Sequence, residues 1–262
     1  MSAVVERTVQ DGVALLTLNR PERLNAWTPA MGRAYFDSLE ECAALEEVRA
    51  IVVTGEGRGF CAGADMENLQ SLGENGAEAG AGERDPRPQS FPLSIPKPII
   101  AAVNGACAGI GLVLALMCDI RFAAESAKLT TAFARRGLVA EYGIAWILPR
   151  LVGPARALDL LLSGRVVLGE EAAALGLVNR AIAPERLLEE TLAYARDLAV
   201  NCSPASMAAM KGQLYGDLER GLDAGLEEAN RLMLGSFAAP DFKEGVSSFL
   251  ERREPRFAPF AR

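Results

Sequence analysis

The amino-acid sequence predicts an α/β fold that is followed by a helical C-terminal region. Strand-like and helix-like segments alternate from the N-terminus to about residue 200, and only helix-like segments follow. The chain has 262 residues, of which 50% are hydrophobic, which is enough to bury a substantial core without disulfides. We therefore expect an α/β core over residues 1–200 and a helical region over residues 201–262.

The N-terminal segments predict a hairpin and then a βαβ unit. An Asp-Gly turn separates Val4–Val9 from Val13–Leu18, which is typical of a β-hairpin. Thr28 is a good N-cap and precedes a proline, so a helix is expected to begin there. Ala50–Thr54 is a short apolar run that predicts a buried strand.

The middle of the chain contains a glycine-rich segment and a long uncharged one. Leu72–Arg87 carries four glycines and is predicted to be a mobile loop. Ile99–Cys118 has no charged residue, and its length alone would permit a membrane span. Because an Asn-Gly pair interrupts it and Asp119 follows, we interpret it as a buried strand at Ile99–Val103 and a buried helix at Leu112–Cys118. We expect no membrane association.

The C-terminal half continues with further strands and then helices. Strands are predicted at Ile120–Ala124, Lys128–Phe133 and Leu177–Ala183, and helices at Gly153–Leu162, Gly169–Leu175, Glu185–Val200, Pro204–Tyr215, Gly221–Phe237 and Asp241–Arg252. The last helices carry many apolar residues. They pack either within the chain or against other copies of it.

Composition excludes several classes of function. The 27 Lys and Arg residues are outnumbered by 34 Asp and Glu residues, which argues against nucleic-acid or anionic-membrane binding. The chain has no histidine, so Ser-His-Asp and Cys-His systems and histidine metal sites are excluded. Its five cysteines are widely spaced and form no CxxC pair, so we expect reduced thiols, no metal and a cytoplasmic location.

Two glycine-containing turns follow predicted strands, at Gly59–Met66 and Asn104–Gly111. Neither has the spacing of a nucleotide-binding loop. Small residues in such turns expose backbone N–H groups, and two turns that converge would form an oxyanion hole. Close backbone packing explains the same glycines, and both interpretations stay open at this point.

These turns resemble signature stretches of the crotonase family, also called the enoyl-CoA hydratase/isomerase family. The matching stretches are Gly59–Leu69, Pro96–Ala124, Gly137–Gly153, Leu18–Ala26, Ala172–Val178 and Glu244–Arg252. The resemblance implies a spiral core of ββα units with a helical C-terminal trimerisation region. It also implies an acyl-CoA substrate, a homotrimer or hexamer, and no cofactor other than the coenzyme A of the substrate.

The resemblance also implies roles for particular residues. The backbone N–H groups of Ala64 and Ile110 would hold the thioester oxygen and stabilise an enolate. Phe249 and Arg252 would reach coenzyme A bound mainly to another subunit. The remaining substrate contacts would be Arg23, Leu24, Ala26, Ala62, Asp65 and Met66, with Val113 and Phe133 lining an apolar acyl pocket.

The chain departs from the family's hydratases at both of their catalytic glutamates. Val113 and Phe133 occupy those positions, and neither can hold water or deliver a proton. Glu141 remains, at a loop position where several family isomerases and a dehalogenase branch carry an acid. Apolar neighbours such as Leu138 and Trp146 would make it a usable base, although a solvated loop glutamate is the other interpretation.

We therefore expect a crotonase-type enzyme that moves a double bond in an enoyl-CoA with one carboxylate, Glu141. Three alternatives stay open. The first is an enoyl-CoA hydratase that uses Glu141 alone. The second is thioester hydrolysis or dehalogenation with Glu141 as nucleophile, and the third is a weakly catalytic acyl-CoA-binding homologue.

Overall fold

The structure, a computed structural model, describes residues 3–75 and 85–260. The strands are β1 Val5–Gln10, β2 Val13–Leu18, β3 Ala50–Gly55, β4 Gly59–Cys61, β5 Ile99–Val103, β6 Ala106–Ala108, β7 Ile120–Ala124, β8 Lys128–Thr130, β9 Val167–Leu168 and β10 Arg180–Ile182. The helices are α1 Pro29–Ala44, α2 Met66–Asn75, α3 Ile110–Leu116, α4 Ile144–Val152, α5 Pro154–Ser163, α6 Gly169–Leu175, α7 Leu187–Asn201, α8 Pro204–Asp217, α9 Leu222–Ala238 and α10 Pro240–Glu251.

The larger sheet has six strands in the order β1-β2-β3-β5-β7-β10. The predicted hairpin is confirmed, with Gln10 paired to Val13, and the pairings from β2 to β10 are all parallel. Every residue of β3 and β5 is buried. Because α1 packs on the hairpin and α7 packs on the central strands, these strands can be apolar throughout. The predicted α/β class is confirmed.

The smaller sheet has four strands in the order β4-β6-β8-β9, of which the first three are parallel. The pairs β3–β4, β5–β6 and β7–β8 each place one strand in the larger sheet and the next in the smaller one. A helix follows each pair: α2, α3 and, after a short 3-10 turn, α4. This repeat is the ββα unit that the family resemblance implies.

The smaller sheet packs tightly against the start of α3. A Cβ atom added at Gly111 would lie 2.0 Å from the carbonyl oxygen of Cys61, so no side chain fits there. Gly111 is needed because the backbone of α3 approaches the backbone of β4 closely here. This agrees with the interpretation that the glycines of this turn serve close backbone packing.

The C-terminal helices begin with α8, which is tied to the larger sheet. Lys211 Nζ donates a hydrogen bond to Asp119 Oδ2 at 2.7 Å, and the Tyr215 hydroxyl donates to Asp119 Oδ1 at 3.0 Å. α9 packs on α8 and on α10. Several large apolar side chains of these helices are exposed: Met210, Leu214, Leu222, Leu226, Met233, Leu234, Phe237, Phe242, Val246, Phe249 and Leu250.

Two sequence predictions need correction. The loop was predicted at Leu72–Arg87, but its first four residues belong to α2, which continues to Asn75. The carboxylate of Asp65 caps the start of this helix. Residues 76–84 lie outside the described residues. The strand predicted at Lys128–Phe133 ends at Thr130, because Ala132 turns the chain with a φ of +57°. None of the helices in the described ranges is long and apolar enough to cross a membrane.

Candidate active site

The two glycine-containing turns lie side by side at one edge of the smaller sheet. β4 and β6 are parallel, with Cys61 paired to Cys107, so the turns that follow them leave the sheet at the same edge. Gly63 has a φ of +112°, and a Cβ atom added to it would lie 3.3 Å from the carbonyl oxygen of Ala108. Glycine therefore lets the first turn approach the second.

The backbone of Trp27 orients the N–H group of Ala64. The Trp27 N–H donates to the Gly63 carbonyl oxygen at 2.8 Å, and the Asp65 N–H donates to the Trp27 carbonyl oxygen at 3.0 Å. Since successive N–H groups of an extended chain point to opposite sides, the Ala64 N–H points away from Trp27. It donates to no acceptor within the described part of the chain.

The N–H group of Ile110 is available for a different reason. Ile110 is the first residue of α3, and the first N–H groups of a helix have no intrahelical acceptor. Its neighbour Gly109 donates its own N–H to the Thr130 carbonyl oxygen at 3.1 Å. Over residues 3–75 and 85–260, no acceptor is paired with the Ile110 N–H.

A cavity of about 720 Å³ lies against these two turns. The predicted site residues among its lining are Arg23, Ala26, Ala62, Ala64, Asp65, Met66, Ile110, Phe133 and Glu141. Leu69, Thr131 and Ala132 also line it and were not predicted. Leu69 lies one helical turn after Met66 on α2, a spacing that would have indicated it had α2 been predicted.

Four predicted site residues do not line this cavity. Leu24 contributes through its backbone, because its carbonyl oxygen accepts the Ala62 N–H at 3.0 Å. Val113 is fully buried inside α3. Phe249 is 83% exposed on α10, and Arg252 is exposed directly after that helix.

The cavity is lined by two carboxylates among the described residues, Asp65 and Glu141. Asp65 is buried, and both its oxygens have partners: Oδ2 accepts from Arg20 Nη2 at 3.0 Å and Oδ1 accepts from the Glu67 N–H at 3.2 Å. Its role is to hold the start of α2. Glu141 is half-buried, and the next residue, Tyr142, has a φ of +56°.

The thiols beneath the two turns are unsuited to nucleophilic chemistry. Burial raises the pKa of Cys61 to about 12 and raises that of Cys107 well above its ordinary value. Both are therefore neutral at physiological pH. Within the described ranges, no group of Cys, Asp and Glu side chains is arranged to hold a metal ion.

Comparison with known proteins shows the family. The sequence pattern of the enoyl-CoA hydratase/isomerase family matches residues 8–259. The chain is 40% identical to a probable enoyl-CoA hydratase of Rhodobacter capsulatus, with 95% of both chains covered. It is 37% identical to the 1,2-epoxyphenylacetyl-CoA isomerase of Escherichia coli, with 95% of this chain and 96% of the relative covered.

A solved structure agrees over the whole fold. A probable enoyl-CoA hydratase/isomerase from Mycobacterium abscessus superposes with a TM-score of 0.90 at 32% identity, covering 98% of this chain and 99% of that one. The paired turns with available N–H groups, the ββα repeat and these similarities all agree. The chain belongs to the enoyl-CoA hydratase/isomerase family, the crotonase family, and is an acyl-CoA-transforming enzyme of that family.

Proposed function

We propose that this enzyme moves a carbon–carbon double bond in an enoyl-CoA with Glu141 as its acid–base group. The observation that carries the proposal is that Glu141 lines the same cavity as Ala64 and Ile110. The other lining carboxylate of the described residues, Asp65, is held by Arg20. Of the two, Glu141 is the carboxylate to which we assign proton transfer.

The reaction needs one proton carrier and one anion site. The Glu141 carboxylate would remove a proton from C2 of a 3-enoyl-CoA, and the electron pair would delocalise over the double bond and the thioester oxygen. The N–H groups of Ala64 and Ile110 would stabilise the oxygen of this dienolate. Glu141, now protonated, would return the proton to C4, which leaves the 2-enoyl-CoA. No resident metal or redox cofactor takes part in this scheme.

The apolar groups that replace the hydratase glutamates support a single-carboxylate reaction. Val113 is fully buried and Phe133 is 5% exposed, so neither position can hold an attacking water. A second candidate is an enoyl-CoA hydratase that uses Glu141 alone. It is favoured by the names of relatives such as the probable enoyl-CoA hydratase of Rhodobacter capsulatus.

The test compares Glu141→Gln with the wild type on 3-enoyl-, 2-enoyl- and aryl-CoA substrates, including 1,2-epoxyphenylacetyl-CoA. Gln is nearly isosteric with Glu, so we expect acyl-CoA to bind while turnover falls by orders of magnitude. Glu170→Gln is the matched control, because Glu170 is an exposed glutamate on α6 outside the cavity.

The outcomes separate the candidate functions. Conversion of 3-enoyl-CoA to 2-enoyl-CoA supports isomerisation, and formation of 3-hydroxyacyl-CoA from 2-enoyl-CoA supports hydration. Release of free coenzyme A would indicate thioester hydrolysis. A fall in turnover within about tenfold, equivalent to about 1.4 kcal/mol, would show that Glu141 is not the base.

We also propose that the enzyme is a cytoplasmic homotrimer or hexamer. The exposed apolar side chains of α8, α9 and α10 support self-association, because soluble monomers rarely leave so much apolar surface in water. In such an assembly Phe249 and Arg252 would reach coenzyme A bound to another subunit. The free thiols, of which Cys42, Cys61, Cys107 and Cys118 are buried, agree with a reducing compartment.

A further inference from the structure

The charged residues around the cavity are not equivalent. Arg23 Nη2 forms an ion pair with Glu67 at 2.9 Å, and Asp65 forms one with Arg20 at 3.0 Å. Arg136 also lines the cavity, but no carboxylate in the described part of the chain forms an ion pair with it. Its exposed guanidinium is therefore a positive charge at the cavity that no ion pair within residues 3–75 and 85–260 neutralises.

Within the described residues, the exposed side chain of Arg136 donates one hydrogen bond. Its Nη1 donates a hydrogen bond to the Ala132 carbonyl oxygen at 3.3 Å, within the same turn. The neighbouring Arg135 differs, because its Nε donates to the Ser163 carbonyl oxygen at 2.8 Å and its side chain does not line the cavity. Two adjacent arginines thus have different surroundings.

Arg136 lies on the segment that would surround the acyl chain. Its N–H donates to the Phe133 carbonyl oxygen at 2.9 Å, and a Cβ atom added at Gly109 would lie 3.9 Å from the Phe133 ring. The 3-10 turn Ala134–Arg136, which follows Phe133, therefore begins beside Gly109 of the second glycine-containing turn. Glu141 follows on the same segment, and in the proposed function it acts on carbons beyond the thioester.

We propose that Arg136 binds an anionic oxygen group of the substrate, a carboxylate at the far end of the acyl chain. The preferred substrates would then be thioesters of dicarboxylic acids. This inference rests on the proposed function, which places the acyl chain beside Glu141. A guanidinium fork matches a carboxylate with two parallel hydrogen bonds. A second anion beside Glu141 would otherwise be repelled, and Arg136 offsets that charge.

A phosphate of coenzyme A is also an anion and could bind Arg136 in place of the acyl carboxylate. The experiment must separate the two. Two matched pairs of saturated thioesters serve as probes: succinyl-CoA with butyryl-CoA, and adipoyl-CoA with hexanoyl-CoA. Within each pair the acyl chains differ in the terminal carboxylate. Because saturated chains have no double bond to move, calorimetric binding reports on Arg136 whether or not Glu141 is the base.

We expect the wild type to bind at least one dicarboxylic thioester about tenfold or more tightly than its neutral partner. Arg136→Gln should abolish this preference, Arg136→Lys should keep part of it, and Arg135→Gln should keep all of it. Thermal melting of each variant checks that it is folded. If Glu141→Gln retains activity, the isomerase proposal fails while the binding preference still stands.

Two results would overturn the assignment. One is a wild type with no preference for either dicarboxylic thioester. The other has two parts. The Arg136→Gln substitution lowers the affinity for charged and neutral thioesters equally, and the wild type loses the same amount of affinity when the thioester lacks the 3′-phosphate of coenzyme A. That second pattern would assign Arg136 to a phosphate of coenzyme A.

Discussion

Val113 and Phe133, which stand where the hydratases of the family carry glutamates, test whether these two positions are apolar. Both are buried among apolar groups, so a glutamate at either position would be an unpaired buried charge. We expect Val113→Glu, alone or with Phe133→Glu, to lower the free energy of unfolding by several kcal/mol (about 3 or more). Urea denaturation followed by circular dichroism measures this change.

The matched control for this prediction is Ala134→Glu, which places the same charge on an exposed neighbour of Phe133. Its midpoint of unfolding should stay close to that of the wild type. If Val113→Glu also left the midpoint unchanged, these positions would be hydrated, and the single-carboxylate argument would lose its support.

Individual residues of the site could be predicted where they belong to a local pattern. The two turns were identified from glycine spacing and resemblance, and Ala64, Ile110 and Glu141 do line one cavity. Asn25 lies within the matching stretch Leu18–Ala26, but no role was predicted for it. It is fully buried, and its Nδ2 donates to the Gly59 carbonyl oxygen at 2.7 Å, a partner too distant in sequence for local patterns to indicate.

At the scale of elements, α8 provides a test of how the C-terminal helices are attached. Asp119 accepts from both Lys211 and Tyr215, and burial lowers the pKa of Lys211. Asp119→Asn would leave the ammonium group buried without its counter-charge. We expect it to lower the free energy of unfolding by about 2–4 kcal/mol.

A double-mutant cycle separates the free energy of the Asp119–Lys211 interaction from other effects of the substitutions on stability. Lys211→Met removes the charge, so the double variant with Asp119→Asn should be less destabilised than the sum of the two single variants. Glu228→Gln, which breaks an exposed ion pair with Arg231, should barely change the melting temperature. Strict additivity in the cycle would show that the buried pair does not couple α8 to the sheet.

Elements were predictable where periodicity and turn chemistry agreed. β5 was predicted at its observed bounds, Ile99–Val103, because an uninterrupted apolar run ends there at an Asn-Gly pair. α4 was not predicted as a helix. It contains Pro149, which removes a backbone hydrogen bond, and its short apolar run does not distinguish a helix from a strand.

At the scale of the whole molecule, the proposed assembly makes Arg252 a contact to coenzyme A bound to another subunit. Arg252 follows α10 with a φ of +53°, and it does not line the cavity of its own chain. We expect Arg252→Glu to weaken coenzyme A binding at least about tenfold, because it replaces a phosphate-binding cation with a repelling anion. Binding is measured by calorimetry and folding by thermal melting.

Lys243→Glu is the control for Arg252→Glu, since it makes the same charge change at an exposed position on α10, the helix that Arg252 follows. It should leave the affinity for coenzyme A nearly unchanged. Light scattering on the wild type should give three or six times the mass of one chain. A monomer at micromolar concentration, or unaltered affinity in Arg252→Glu, would contradict the proposed assembly.

The location of the anion-stabilising groups on the main chain has a consequence for how this enzyme could change. Because the donors of Ala64 and Ile110 are peptide groups, exchanging side chains around the cavity does not delete them. In a library that randomises Glu141, Phe133 and Arg136, every variant would therefore keep the two backbone N–H donors that activate the thioester. Such a library can be screened for new reactions of acyl-CoA substrates. Gly111 marks the limit of that freedom, since even one methyl group there would overlap the Cys61 carbonyl oxygen 2.0 Å away.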